Sequence, residues 1–196
     1  KKIVCKKKFL RNYDRMNKKK VLIAVSPFSE LDDLPLKILK KNNFTIIKNP
    51  FHRRLKVNEI IKLGKKADAV IAGVEPYNKK VLSFLKNIKC ISRVGVGIDN
   101  IDQNYARKKN IKICNTPNVV TEPVAQLTVG FLLNLLRKIN VMNNYMKKKM
   151  WKKIYGNNLN TKKIGIIGVG KIGKRVSEIL SVFGANIILN DVKKNL

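Results

Sequence analysis

A chain of 196 residues with 44% hydrophobic side chains is long enough to bury one or two cores and too apolar to be an intrinsically disordered polyelectrolyte. Its charge is extreme, 43 Lys and Arg against 12 Asp and Glu, for a formal net charge of +31. The cations run along the whole length without a nucleic-acid-binding motif, so they read as a compositional habit and specific nucleic-acid recognition is not expected. Cys5, Cys90 and Cys114 are widely spaced and lack CxxC or Cys/His patterns, which excludes a disulfide framework or a metal site and fits a reducing, cytoplasmic setting. The longest apolar run, Val129 to Leu136, is interrupted by Asn134 and is too short to span a membrane, so no membrane partner is expected.

Residues 1–20 hold ten cations and one acid, Asp14, with neither an apolar core nor a small-residue cleavage site, so they are no secretory signal. Met16 precedes a short basic stretch and a strand. The expectation is that translation starts there and that residues 1–15 are a basic extension without a fold role; the alternative is a flexible basic arm. From Val21 the pattern alternates. Val21–Val25, Thr45–Ile47, Ala69–Ala72, Ile88–Ile91 and Ile111–Cys114 read as strands, and Leu31–Lys41, Val57–Lys65, Asn78–Leu85 and Ile101–Lys109 as helices. This alternation predicts an α/β fold, a doubly wound parallel sheet of flavodoxin-like type, over a first domain at residues 16–117.

Asn115-Thr116-Pro117-Asn118 is a turn-rich junction, after which a second domain is expected over 118–196. Thr121 reads as an N-cap with Pro123 in the first turn of a helix from Glu122 to Ile139. That helix is apolar nearly all round, which predicts burial on most sides, and Gly130 within it predicts a close backbone approach. A more polar helix, Met142 to Lys149, leads to Trp151.

The most informative stretch follows. Ile164, Ile166 and Ile167 form a short strand; Gly168, Gly170 and Gly173 fall in G-x-G-x-x-G spacing; Ile172, Val176, Ile179, Leu180 and Phe183 line one helix face; and Ile187–Leu189 lead to Asp191, 18 residues past Gly173. The glycines suit a tight turn, approach to a pyrophosphate and close helix–strand packing. The helix start offers N–H groups to phosphate, and Asp191 can accept bonds from ribose hydroxyls, which favours NAD over NADP. The alternative is a βαβ unit whose glycines serve packing alone.

With these segments in order, the chain resembles the D-isomer-specific 2-hydroxyacid dehydrogenases, and among them the D-3-phosphoglycerate dehydrogenases. The resemblance rests on Ala72-Gly73-Val74-Glu75-Pro76, on Ser92-Arg93-Val94-Gly95-Val96-Gly97-Ile98-Asp99-Asn100-Ile101-Asp102, on Asn115-Thr116-Pro117 with Val124-Ala125-Gln126-Leu127-Thr128, and on the glycine motif. Gln126 departs from the usual Glu. The resemblance implies a flavodoxin-like substrate domain followed by the N-terminal part of a Rossmann NAD-binding domain, and an oxidoreductase that moves hydride between C2 of a 2-hydroxy or 2-oxo acid and NAD. It implies substrate binding by Gly95, Val96 and Gly97 through backbone N–H groups. It implies cofactor binding by Val96, Thr128, Gly168, Gly170, Lys171, Ile172, Gly173 and Asp191, and a homodimer through the segment around 140–160. Arg93 suits a second negative group on the substrate; a surface cation is the equal reading. For Gly95–Asp102 taken alone, a strand-to-helix turn with an Asp cap remains open.

In that family the activating Arg, the Glu and the proton-donating His lie beyond the cofactor domain's second strand, so no catalytic residue is assigned within these 196 residues and turnover by them is not expected. His52, the lone histidine, sits in a loop and reads as a surface residue. A non-catalytic, NAD-sensing binding protein is the competing class.

Overall fold

The computed structural model describes residues 18–193, so the basic extension at 1–15, the start at Met16 and Cys5 lie outside the described residues. The chain divides between Thr116 and Pro117 into two units.

In the first unit, runs of Val, Ile, Leu and Ala form five strands: β1 (Lys20–Ile23), β2 (Thr45–Lys48), β3 (Ala69–Ala72), β4 (Cys90–Arg93) and β5 (Lys112–Cys114). Four helices lie between them: α1 (Leu34–Lys41), α2 (Val57–Gly64), α3 (Lys79–Phe84) and α4 (Gln103–Lys108). All pairings are parallel and the order is β2-β1-β3-β4-β5, the flavodoxin-like arrangement expected. A parallel sheet covered by helices buries apolar residues on both faces. Leu22, Val70 and Ile91 meet Leu55, Ile60, Val81, Leu85 and Ile88 in one core. Each such side chain, fully buried, stabilises the fold by roughly 1.5–3 kcal/mol.

The helix starts are set by local chemistry. Asn78 Oδ1 accepts the Val81 N–H at 3.0 Å and Asp102 Oδ1 accepts the Tyr105 N–H at 2.9 Å. Caps of this kind are worth about 1 kcal/mol. One strand differs from expectation by two residues: β4 is Cys90–Arg93, because Ile88 is spent as a core plug in the turn after α3, its N–H donating to Leu85 O. The shift carries Arg93 to the carboxyl end of the strand.

The second unit contains α5 (Thr121–Arg137), α6 (Ile139–Lys147), a single 3-10 turn at Leu159–Thr161, β6 (Lys163–Ile167), α7 (Lys171–Val182) and β7 (Asn186–Asn190). Strands β6 and β7 pair in parallel, with Ile164 opposite Ile187 and Ile166 opposite Leu189. Ala125, Val129, Leu159, Val176 and Leu180 make its core.

Four expectations about α5 are corrected. Thr121 lies inside the helix and Val120 takes the cap position without a side-chain bond. The apolar run does not continue as one helix to Ile139, because Lys138 adopts φ 57° and breaks it; Asn134 Oδ1 then accepts the Asn140 N–H at 3.0 Å to start α6. Nor is α5 buried on most sides. Only Ala125 and Val129 are buried, while Leu127, Phe131 and Leu135 are 56%, 59% and 71% exposed. Within this unit, contact with α7 takes one stripe of the helix, and a periodicity argument does not tell which other stripes find a partner. The close approach expected at Gly130 is also absent: its missing side chain faces open space.

Candidate functional site

Each unit carries one cluster of the expected residues. In the first, the carboxyl ends of β3, β4 and β5 bring three loops together, as a parallel sheet does at its ligand edge. The loop after β4 holds Arg93, Gly95, Val96 and Gly97. The Val94 N–H donates to Ala72 O at 2.8 Å, continuing the ladder with β3. On the other side, the Gly95 N–H donates to Thr116 Oγ1 at 2.8 Å, and the Thr116 N–H returns a bond to Gly95 O at 2.9 Å. Asn115 Nδ2 donates to Val96 O at 2.8 Å.

The far end of the loop is pinned as well. Asn100 Nδ2 donates to Gly73 O at 3.2 Å and to Glu75 O at 2.7 Å. Glu75 is buried, and its carboxylate accepts the Gly73 N–H at 2.8 Å. Nearby, burial and then the Glu75 charge push the Tyr77 phenol far above its ordinary pKa. The Asp cap of α4 and the glycine loop thus coexist: Asp102 serves the helix while the residues before it form the loop.

The Gly95 N–H donates to Thr116, whereas those of Val96 and Gly97, both exposed, have no hydrogen-bond partner among the described residues. Arg93 folds back over the loop, Nη1 donating to Val94 O, and its Nε is buried without a hydrogen-bond partner. Asn100, Asn115 and Thr116 were quoted in the sequence only as parts of motifs. Their amide and hydroxyl groups are the available signal, but partners 19 to 27 residues away are not visible in a linear pattern.

In the second unit, Gly168 turns the chain after β6 with φ 92°. Gly173 is required by contact: a Cβ there would stand 2.1 Å from Gly168 O and 3.4 Å from Ile166 Cγ2. Gly170 is the cap residue of α7, has no side chain to satisfy the first turn, and faces open space. Asp191, at the end of β7, closes the group. Its Oδ2 accepts the Val169 N–H at 2.6 Å and its Oδ1 the Lys193 N–H at 3.0 Å, and these bonds hold its carboxyl below the usual range.

Lys171 donates from Nζ to Asn118 Oδ1. With Lys174, Arg175, Thr121, Asn118 and Glu178 it lines a cleft of about 410 Å³ on the flank of α7. Arg175 is held by Glu122 at 2.7 Å and Glu178 at 3.1 Å. Arg175 and then Gln126 keep the Glu122 carboxyl below its ordinary pKa. Gln126 Nε2 donates to Glu122 at 2.8 Å, a bond that the usual Glu could not make. Ile172 is exposed. Thr128 is exposed on α5 with its hydroxyl donating to Val124 O at 2.8 Å, and no hydrogen bond joins it to the glycine turn.

His52 lies on an exposed loop after β2 with φ 50°. Among the described residues no group of three metal-ligating side chains converges, and no helix is long and apolar enough to cross a membrane.

Comparison with known proteins agrees with this arrangement. Residues 23–185 match the profile of the D-isomer specific 2-hydroxyacid dehydrogenase catalytic domain. Hydroxypyruvate reductase of Thermotoga maritima is 34% identical over 143 residues, 71% of this chain and 47% of that protein. D-3-phosphoglycerate dehydrogenase of Sus scrofa is 32% identical over 175 residues, 88% of this chain and 32% of that protein. A solved structure of D-lactate dehydrogenase from Aquifex aeolicus, in complex with NAD and lactic acid, superposes with a TM-score of 0.73 at 26% identity, covering 90% of this chain and 52% of that one. The chain therefore spans about a third to a half of the length of the curated relatives it matches.

Proposed function

The chain belongs to the D-isomer specific 2-hydroxyacid dehydrogenase family, and from that premise we propose that it supplies the substrate-carboxylate cradle and the glycine-turn side of the NAD site for an oxidoreductase acting on the CH–OH group of a D-2-hydroxy acid, a 3-phosphoglycerate dehydrogenase-like activity. The observation that carries the cofactor half is Asp191, which closes on the glycine turn through Val169 while Gly170 leaves the α7 start open. These residues fit a dinucleotide. Gly168 makes the tight turn, Gly170 lets the backbone approach the pyrophosphate, Gly173 lets helix and strand pack, Lys171 and Ile172 would cover the phosphates and Asp191 would receive the ribose hydroxyls; the family resemblance adds Val96, toward the nicotinamide, and Thr128 as cofactor contacts. The bound nicotinamide supplies the hydride acceptor or donor.

On the substrate side, the Val96 and Gly97 N–H groups bind the carboxylate, with Gly95 shaping the turn. Arg93, with a buried unpartnered Nε, answers a second negative group such as a phosphate. The protein acts in the cytoplasm, as a homodimer joined through the segment around 140–160, where Met146 and Trp151 are exposed. Proton transfer needs a group titrating near neutrality, and the single histidine, His52, stands on an exposed loop with no hydrogen bond to the cradle. Residues 1–196 alone are therefore expected to bind rather than turn over, and that same observation sustains the competing reading of an NAD-sensing binding protein.

Calorimetry with the purified chain tests the proposal. NAD should bind at least tenfold more tightly than NADP, because a carboxylate at Asp191 meets a 2′-phosphate with like charge. Asp191→Ala should lose most of that preference. Equal affinity for both cofactors, or a preference untouched by the substitution, would refute it. An absorbance assay with D-3-phosphoglycerate or hydroxypyruvate separates the two classes: turnover by the chain would assign chemistry to residues within it.

A further inference from the structure

We infer that Thr116 is a positioning residue of the anion cradle: it fixes the Gly95 conformation from which the following N–H groups are presented. This rests on the substrate-side reading above, but its first test requires no substrate.

The argument starts at Gly95. Its φ of 145° is a conformation that a side chain rarely adopts, and a Cβ there would strike the Arg93 guanidinium. Glycine permits this geometry without enforcing it, since its backbone is the freest of all. Something else must hold it. Both polar groups of Gly95 are engaged by one residue: its N–H by Thr116 Oγ1 at 2.8 Å, its carbonyl by the Thr116 N–H at 2.9 Å. Asn115 then fixes the next carbonyl, that of Val96. After these bonds the consecutive N–H groups of the loop, from Val96 and Gly97 onward, have no hydrogen-bond partner among the described residues. Successive free N–H groups in a turn are the elements of an anion-binding concavity. Thr116 thus contributes no atom to the anion. It consumes one donor and thereby presents the next two.

The residue type and its place both matter. Threonine is β-branched and stiff at χ1, so its hydroxyl is delivered in few orientations. Being followed by Pro117, it is also confined to extended backbone. Thr116 is the last residue of the first unit and Pro117 the first of the second. A hydrogen bond of 2.8 Å is effectively gone once it is stretched past about 3.5 Å, so Gly95 is held only while the end of the first unit keeps the Thr116 hydroxyl in place.

Amide hydrogen exchange on the ¹⁵N-labelled full chain, without ligand, is the test. Thr116→Val removes only the hydroxyl and should raise exchange at Gly95 about tenfold, while the core amides of Leu22 and Ile91 keep wild-type protection. Thr116→Ser, which keeps the hydroxyl, should restore slow exchange. A titration with oxalate as carboxylate probe should then show about tenfold weaker binding in Thr116→Val and near-normal binding in Thr116→Ser. Wild-type exchange at Gly95 in Thr116→Val overturns the positioning role. If Thr116→Val does not fold, Thr116→Ala against Thr116→Ser carries the same comparison. A wild-type chain indifferent to oxalate would sink the substrate reading, with the exchange data still deciding what Thr116 does.

Discussion

At the scale of single residues, side chains here work at distances that the linear pattern hides. Gly95 was proposed for the cradle through the Ser92–Asp102 segment that carries the family resemblance; that its N–H is taken was not legible there, because the hydroxyl that takes it belongs to a residue 21 positions on. Asp102 shows the opposite: the modest reading of a helix cap and the specific reading of a family signature are both true of the same segment. Glu59 gives a measurable case of coupling. It accepts two bonds from Arg53, at 2.7 and 2.9 Å, and one from the Lys56 N–H at 2.7 Å. The Arg53 guanidinium first, and that N–H second, lower its pKa to about 2 from an ordinary 4.5. A carboxyl depressed on folding stabilises the native state in full above its unfolded pKa and loses that contribution as pH falls through the folded one. Wild type should therefore melt above Glu59→Gln at pH 6, and the difference should shrink between about pH 4.5 and pH 2. A gap independent of pH across that window would show that the ion pair contributes nothing through titration.

At the scale of elements, the five strands and four helices of the first unit were readable because each is short, apolar and bounded by turn residues. Errors fell at the boundaries, as with β4, where Ile88 is apolar for the sake of the core and not of the strand. The larger miss was α5. A helix apolar nearly all round can be recognised from its sequence, but the sequence does not say how many of its faces have a neighbour. The structure divides it into a buried stripe at Ala125 and Val129 and an exposed one at Leu127, Phe131 and Leu135. That division predicts unequal mutational costs. Val129→Ala should destabilise the second unit by roughly 1–3 kcal/mol, the usual range for a core truncation. Phe131→Ser should change the chain's stability by less than about 0.5 kcal/mol, despite removing a far larger side chain. Urea unfolding followed by Trp151 fluorescence reads both. A large loss from Phe131→Ser in a monomeric sample would mean that this face is covered after all.

At the scale of the whole molecule, the twelve acids are too few to balance the charge, and several of those described serve as fasteners instead. Asp68 holds the Lys20 N–H, Glu75 the turn after β3, Glu122 and Glu178 the Arg175 guanidinium, and Asp191 the glycine turn. The surplus cations therefore have no internal counterweight. Two features described separately then act against each other in solution. A formal net charge of +31 keeps copies of the chain apart, whereas the exposed stripe of α5, continued by Met146 and Trp151, attracts any apolar surface that comes within reach. Electrostatic repulsion reaches about 10 Å at 0.1 M salt and only about 3 Å at 1 M, while the hydrophobic attraction is not weakened by added salt. Ionic strength is then a dial between dispersed and associating chains. Static light scattering should find a positive second virial coefficient in dilute buffer that falls through zero as sodium chloride is raised, and Phe131→Ser should move that crossing to higher salt.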